Sequence, residues 1–185
     1  MSSPVSLLSS LIADYDVPPS FVDKTYGEPL FHTPSSVFAV SYASDDTLWT
    51  IEAEGSLKHW TSDGRIIDRV FLSDSEDAWV FNADASLLAS GSSDIALWST
   101  SKAKEIARQS SDSWVNSLAF SSESPILASG HDDGVVKLWK LPKLEFLGEI
   151  QAHSDAISSL SFSADGKQIT TAGDDHLIRI WDIQS

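Results

Sequence analysis

The chain has 185 residues, 42% of them hydrophobic, and its 12 Lys and Arg against 27 Asp and Glu leave a formal net charge of −15. That is enough for one domain, or for part of a repeat array with a real core. The negative charge argues against general affinity for nucleic acid or anionic lipid, whose phosphates would be repelled, and it favours partners with basic patches.

There is no Cys, which excludes disulfide scaffolds, thiolate zinc sites and Cys nucleophiles. No apolar run approaches the roughly 18 residues of a membrane span, and no Lys or Arg precedes Lys24, so the basic start of a secretory signal is missing. An intracellular protein of cytoplasm or nucleus, with no membrane and no nucleic acid as partner, is the expectation.

Residues 1–27 read as an N-terminal extension. They are Ser-rich and carry Val5, Leu7, Leu8, Leu11 and Ile12 at a spacing that suits one face of a short helix, which Pro18 and Pro19 then stop. From Glu28 the pattern turns to short strands and polar turns in four units, 28–64, 65–103, 104–143 and 144–185. Each unit holds four strands, labelled d, a, b and c in chain order.

In the first unit the strands predicted are d near Glu28, a over Val37 to Tyr42, b over Leu48 to Ile51 and c over Leu57 to Trp60. The second unit starts near Ile66 and has Trp79-Val80-Phe81, Leu87 to Ser90 and Ile95 to Trp98. The third has Glu105 to Arg108, Val115 to Phe120, Ile126 to Ser129 and Val135 to Trp139. An Asp133-Gly134 hairpin turn of a favoured kind precedes its last strand. The fourth has Phe146 to Ile150, Ile157 to Phe162, Gln168 to Thr171 and Leu177 to Trp181. Ala78 to Phe81 and Ile95 to Trp98 are apolar on both faces, as expected of sheets covered on both sides rather than wet on one.

Trp60, Trp98, Trp139 and Trp181 close the four c strands at steps of 38, 41 and 42 residues. A period near ~40 in a chain of short strands marks the blades of a β-propeller. Function is then expected on a binding surface rather than in a catalytic pocket.

The stretches Leu127 to Trp139 and Thr170 to Asp182 carry the repeat most clearly, the second closing on Trp181-Asp182. With these residues the chain resembles the WD-repeat β-propeller family from about Glu28 to Ser185. The resemblance implies an all-β propeller of four four-stranded blades and a structural tetrad in each blade. The tetrad joins a His before strand a, a hydroxyl in strand b, an Asp in the b–c turn and the Trp of strand c. In the fourth unit these are His153, Thr171, Asp175 and Trp181. In the third they are Ser129, Asp133 and Trp139, with Ser111 where His is expected. In the second they are Ser90, Asp94 and Trp98, with Leu72 at the His position. In the first, Thr50 and Trp60 are nearest, with Glu54 and an out-of-register His32. A His, a hydroxyl and a carboxylate also resemble a nucleophilic triad, but recurrence from blade to blade favours a structural role, the buried polar groups satisfying one another.

Partners of this family usually meet the face built by the d–a and b–c loops. Trp114, His131, Asp155 and His176 are the candidates there, Trp114 first because aromatic anchors dominate interface energetics. No Walker loop, dinucleotide fingerprint or His-Glu-x-x-His occurs, and no cofactor or metal is expected. The function implied is a non-enzymatic interaction scaffold or adaptor in a larger complex. The alternatives are a reader of a modified or basic, histone-like peptide tail and, more remotely, an enzyme on a propeller. Four blades are few for this family, so a half or partial propeller is expected. Its missing blades would come from a second copy, making an eight-bladed ring, or from another chain; the alternative is that the sequence is a truncated product of a longer propeller.

Overall fold

Polar turns rich in Asp, Ser and Gly punctuate the chain every few residues, and between them it pairs with itself as antiparallel strands. The computed structural model describes residues 33, 35–73 and 76–183. Among them are fifteen strands and no helix.

The first sheet orders β1 (Val37–Tyr42), β2 (Leu48–Glu52), β3 (Ser56–Trp60) and β4 (Ile66–Phe71). The second orders β5 (Ala78–Phe81), β6 (Leu87–Gly91), β7 (Asp94–Ser99) and β8 (Lys104–Ser110). The third orders β9 (Val115–Phe120), β10 (Ile126–His131), β11 (Val135–Lys140) and β12 (Glu145–Gln151). The last orders β13 (Ile157–Phe162), β14 (Gln168–Gly173) and β15 (Ile178–Asp182). The strands predicted at 37–42, 115–120 and 157–162 keep their limits, and the b and c strands are extended or shifted by one or two residues. The first-unit strand expected near Glu28, the boundary at residue 27 and the helix expected over Val5 to Ile12 lie outside the described residues.

One difference is systematic. Each strand labelled d follows strand c through a short turn, and so short a connection can only bring it back as the antiparallel neighbour of c. Accordingly β4 pairs with β3, β8 with β7 and β12 with β11. A blade in space therefore spans 37–71, 78–110, 115–151 or 157–182, one strand out of phase with the sequence units. The fourth sheet consequently holds three strands where the others hold four, and β15 pairs on one side only among the described residues. The result is an all-β partial propeller of four antiparallel sheets.

The core lies between blades. Ile51 and Leu57 pack with Leu88 and Trp98, Ile95 and Leu97 with Leu118 and Leu127, and Ala128 and Val136 with Ile157 and Leu160. The middle blades are covered on both sides, so β7 and β10 are buried almost throughout, whereas β15 keeps strict alternation. Close stacking needs small residues at the contact. A Cβ built on Gly130 would lie 2.6 Å from Ile157 Cγ2, so a bare backbone there lets the fourth blade approach.

Candidate functional site

Every blade carries the same bond at its centre. The indole Nε1 of the c-strand Trp donates to a hydroxyl of strand b: Trp60 to Thr50 at 2.9 Å, Trp98 to Ser90 at 3.0 Å, Trp139 to Ser129 at 2.8 Å and Trp181 to Thr171 at 3.1 Å. The second blade keeps this contact although its b–c turn is two residues shorter, because the register Ser90 with Ala96 matches Ser129 with Lys137 in placing the Trp two residues on. Once the hydroxyl oxygen accepts from the indole, its own proton is free to be donated onward.

In the fourth blade that proton goes to His153 Nε2, 2.8 Å from Thr171 Oγ1. With Nε2 accepting there, Nδ1 donates to Asp175 Oδ1 at 2.8 Å, and the same nitrogen has Arg179 Nη1 2.7 Å away. Arg179 Nη1 donates to Asp175 Oδ2 at 2.8 Å. Burial raises the Asp175 pKa, but the bonds from His153, Arg179 and the N–H groups of Ser154 and Leu177 outweigh it and hold the carboxyl well below its ordinary range. His153, Thr171, Asp175 and Trp181 thus come together as one set.

The third blade completes its hub differently. The imidazole comes from His131, at the end of β10 itself. Its Nε2 lies 2.7 Å from Ser129 Oγ, and its Nδ1 lies 3.1 Å from Ser111 Oγ and 3.3 Å from the Ser113 carbonyl. The expectation of His131 as a surface contact is therefore corrected: the residue is fully buried, and its ring serves the hub. Burial pushes its pKa down, with the Ser113 carbonyl opposing. Asp133 is not part of this set, since its carboxylate accepts from the Val135 N–H of its own turn at 3.2 Å.

In the second blade Ser92 Oγ donates to buried Glu76 at 3.0 Å, and Arg108 spans Glu76 at 3.3 Å and Asp94 at 3.6 Å. Asp94 thus answers to Arg108 rather than to Ser90. In the first blade Lys58 Nζ meets Glu52 Oε1 at 2.5 Å, both fully buried, with the ammonium 5.8 Å from the Trp60 ring. His32 lies outside the described residues.

One position explains these variants. The residue two places after the hydroxyl is Glu52, Ser92, His131 or Gly173. At Gly173 a Cβ would sit 2.5 Å from His153 Nδ1, so glycine there makes room for an imidazole from the preceding loop. In the third blade the imidazole occupies that strand position itself, and the loop offers only Ser111. The exchange of glycine for histidine was readable, but the family pattern places histidine ahead of strand a. The hydroxyls of Thr171, Ser129 and Ser90 are buried and bonded within the hubs, an arrangement that holds neighbouring strands together and keeps these three hydroxyls from solvent. Among the described residues no three His, Asp or Glu are placed to hold a metal ion.

The exposed candidates sit at the end of the blades where strand b finishes. Trp114 is 43% exposed. Its carbonyl accepts from the Asp132 N–H at 3.0 Å, and Asn116 Nδ2 donates to Asp132 Oδ1 at 2.6 Å. This joins the loop before β9 to the turn after β10. Asp155 and His176 are exposed on the equivalent loops of the fourth blade. The b–c turns and d–a loops at this end also expose Glu54, Asp77, Asp112, Asp132, Asp133 and Asp174, and they contain no Lys or Arg. The opposite turns mix Arg65, Lys102, Lys143 and Lys167 with Asp45, Asp46, Asp63, Asp84, Glu123 and Asp165, so the loops at the Trp114 end differ in carrying acids without bases, although Lys137 reaches Asp112 at 3.2 Å and Arg69 reaches Glu54 at 3.5 Å. Trp49 and Trp79 are half-buried between the first two blades, Trp49 stacked on His59 at 4.1 Å.

Two segments, residues 104–140 and 144–182, match the family model described as WD domain, G-beta repeat. No curated protein matches the sequence. The fold is similar to the crystal structure of RRP9 WD40 repeats, with TM-score 0.69 and 22% identity over 83% of this chain and 50% of that one. It is equally similar to the structure of U3-55K, with TM-score 0.69 and 22% identity over 83% of this chain and 51% of that one. The chain thus spans about half the length of both. The crystal structure of the computationally designed Ika4 protein matches with TM-score 0.70 and 21% identity, over 85% of this chain and 99% of that one.

Proposed function

We propose that this chain, which belongs to the WD-repeat family, is a non-enzymatic scaffold inside the cell, in cytoplasm or nucleus, that docks a basic protein segment on its acidic d–a and b–c end. WD-repeat proteins generally mediate protein interactions, and one observation carries the choice of surface: Trp114 stands exposed on loops that hold Asp132 and Asp133 and no basic residue, Asp112 being already paired with Lys137 at 3.2 Å. An indole offers apolar area at small entropic cost, and surrounding carboxylates steer and orient a cationic partner. Asp155 and His176 extend the same surface.

The test is capture of partners from cell extract with the wild-type chain and with Trp114→Ala, read by mass spectrometry. One dominant assembly, lost in the variant while melting is unchanged, supports the scaffold; capture that persists in the variant removes Trp114 from the interface. The acidic loops also favour a second reading, recognition of a basic peptide tail such as a histone's. In that case Lys-rich peptides alone bind, and modification of the lysine changes the affinity. An enzymatic reading has less to support it, because the cleft beside β5 and β9, about 250 Å³, is lined by Asp77, Trp79, Asn116 and Ser117 without a paired acid and base.

A further inference from the structure

Twice inside this molecule an indole meets a cation that a carboxylate holds in place. Lys58 Nζ lies 5.8 Å from the centre of the Trp60 ring and 2.5 Å from Glu52 Oε1. The Arg108 guanidinium lies 5.8 Å from the centre of the Trp98 ring, with Nη2 2.9 Å from Glu105 Oε2. At Trp114 the indole and the carboxylate are both present and face solvent, and among the described residues no Lys or Arg joins them. Trp114 is 43% exposed, although its blade is flanked by the second and the fourth. Its carbonyl accepts from the Asp132 N–H at 3.0 Å. That bond sets the two residues side by side where β9 begins and β10 ends, and such cross-strand neighbours have Cβ atoms about 5 Å apart. Asn116 Nδ2 donates to Asp132 Oδ1 at 2.6 Å, which fixes the carboxylate beside the indole and leaves Oδ2 to the solvent side. The fourth blade has the same backbone without these side chains. The Asp174 N–H donates to the Ala156 carbonyl at 2.8 Å, but alanine stands in place of the indole, and Ser158, in place of the amide, turns to the Ala172 carbonyl at 3.2 Å.

We infer that the segment docked at Trp114 places an arginine there, its guanidinium flat on the indole and its N–H groups on Asp132. The inference rests on the docking surface proposed above and names the side chain that this surface reads. A planar guanidinium covers an aromatic face while its edge still donates to a carboxylate, as Arg108 does between Trp98 and Glu105. The ammonium of lysine is a compact, strongly hydrated charge and gains less from both contacts at once. Asp132 is the acceptor of choice among its neighbours. Asp133 accepts from the Val135 N–H of its own turn at 3.2 Å, and Asp112 is paired with Lys137 at 3.2 Å. Because Asn116 already holds the Asp132 carboxylate, little side-chain freedom is lost there on binding.

The experiment is titration of the isotope-labelled chain with two peptides of equal charge, one alternating arginine with glycine and the other lysine with glycine. The indole N–H signals are followed by NMR, and Trp114→Phe identifies the one that belongs to Trp114. The arginine peptide is expected to move the Trp114 signal and the Asn116 side-chain amide saturably, with affinity about threefold or more above that of the lysine peptide. Asp132→Asn, at an exposed position where melting checks the fold, should abolish that preference. Equal affinity for the two peptides overturns the inference and leaves a basic segment at Trp114 standing. A preference for arginine that survives Asp132→Asn overturns it as well, and a Trp114 signal that ignores both peptides overturns it together with the basic surface. Capture from extract by Trp114→Ala is read alongside. Capture that persists there, with the arginine preference intact, supports the arginine site and removes only the scaffold reading.

Discussion

Lys58 and Glu52 are the residues whose placement costs most. Both charges are removed from water, and among the described residues Glu52 Oε2 has no hydrogen-bond partner and the ammonium meets the facing carboxylate and the Trp60 ring. Breaking such a pair leaves an uncompensated buried charge, so Lys58→Ala should lower stability by about 3–5 kcal/mol, whereas Glu52→Leu with Lys58→Met should be close to neutral; urea denaturation of the two variants checks both. His131 gives a second expectation at this scale. Its pKa is lowered by burial from an ordinary 6.5, so the unfolded chain binds the proton more readily than the folded one. Stability is therefore complete above about 6.5 and falls as the pH drops below it. In melting measured across that range, His131→Asn, which keeps polar atoms but does not titrate, should lose this part of the pH dependence.

Strands and turns show how far local pattern carries. The polar turns and the Trp ending each c strand made the strands legible, with the a strands of three units placed to the residue, because turn chemistry and apolar runs are local properties. The hydroxyl-to-indole pairs were legible through the resemblance to the WD-repeat family, which implies a hydroxyl in strand b beside the Trp of strand c. What fills the space beyond the hydroxyl was not. Asp94 and Asp133 turn to other partners and His131 replaces a loop histidine, because that space is bounded by loops arriving from the neighbouring blade. Gly173 tests this. Gly173→Ala brings a Cβ within 2.5 Å of His153 Nδ1, and such overpacking should cost about 1–3 kcal/mol. Gly148→Ala, in β12, meets nothing within 4 Å and should be neutral or stabilising by about 0.5 kcal/mol, since the strand interior tolerates Ala better than Gly. Thermal melting of the pair separates crowding from a general intolerance of substitution.

At the scale of the whole molecule, charge and apolar surface are distributed differently. The loops around Trp114 expose carboxylates and hold no Lys or Arg, whereas the opposite turns mix six acidic residues, Asp45, Asp46, Asp63, Asp84, Glu123 and Asp165, with Arg65, Lys102, Lys143 and Lys167. Binding of a basic partner there should weaken steeply with added salt, since exposed charges are screened over about 8–10 Å at physiological ionic strength, and titration calorimetry at two salt concentrations reads this directly. The exposed apolar side chains of Ile178 and Ile180 lie elsewhere, on the last blade.

The sequence by itself determined the repeat, the strands, the all-β propeller class and the Trp of each blade, because all of these follow from turn residues, apolar runs and spacings, and the hydroxyl beside each Trp followed from the family resemblance those residues carry. Only the tertiary structure decided which sheet each d strand joins, that the fourth sheet is one strand short, and which side chain completes each hub. It also decided that His131 is buried while Ile178 and Ile180 are not. Those outcomes depend on which blade lies next to which, and identical sequence positions are buried or bare according to whether a neighbouring sheet is there to cover them.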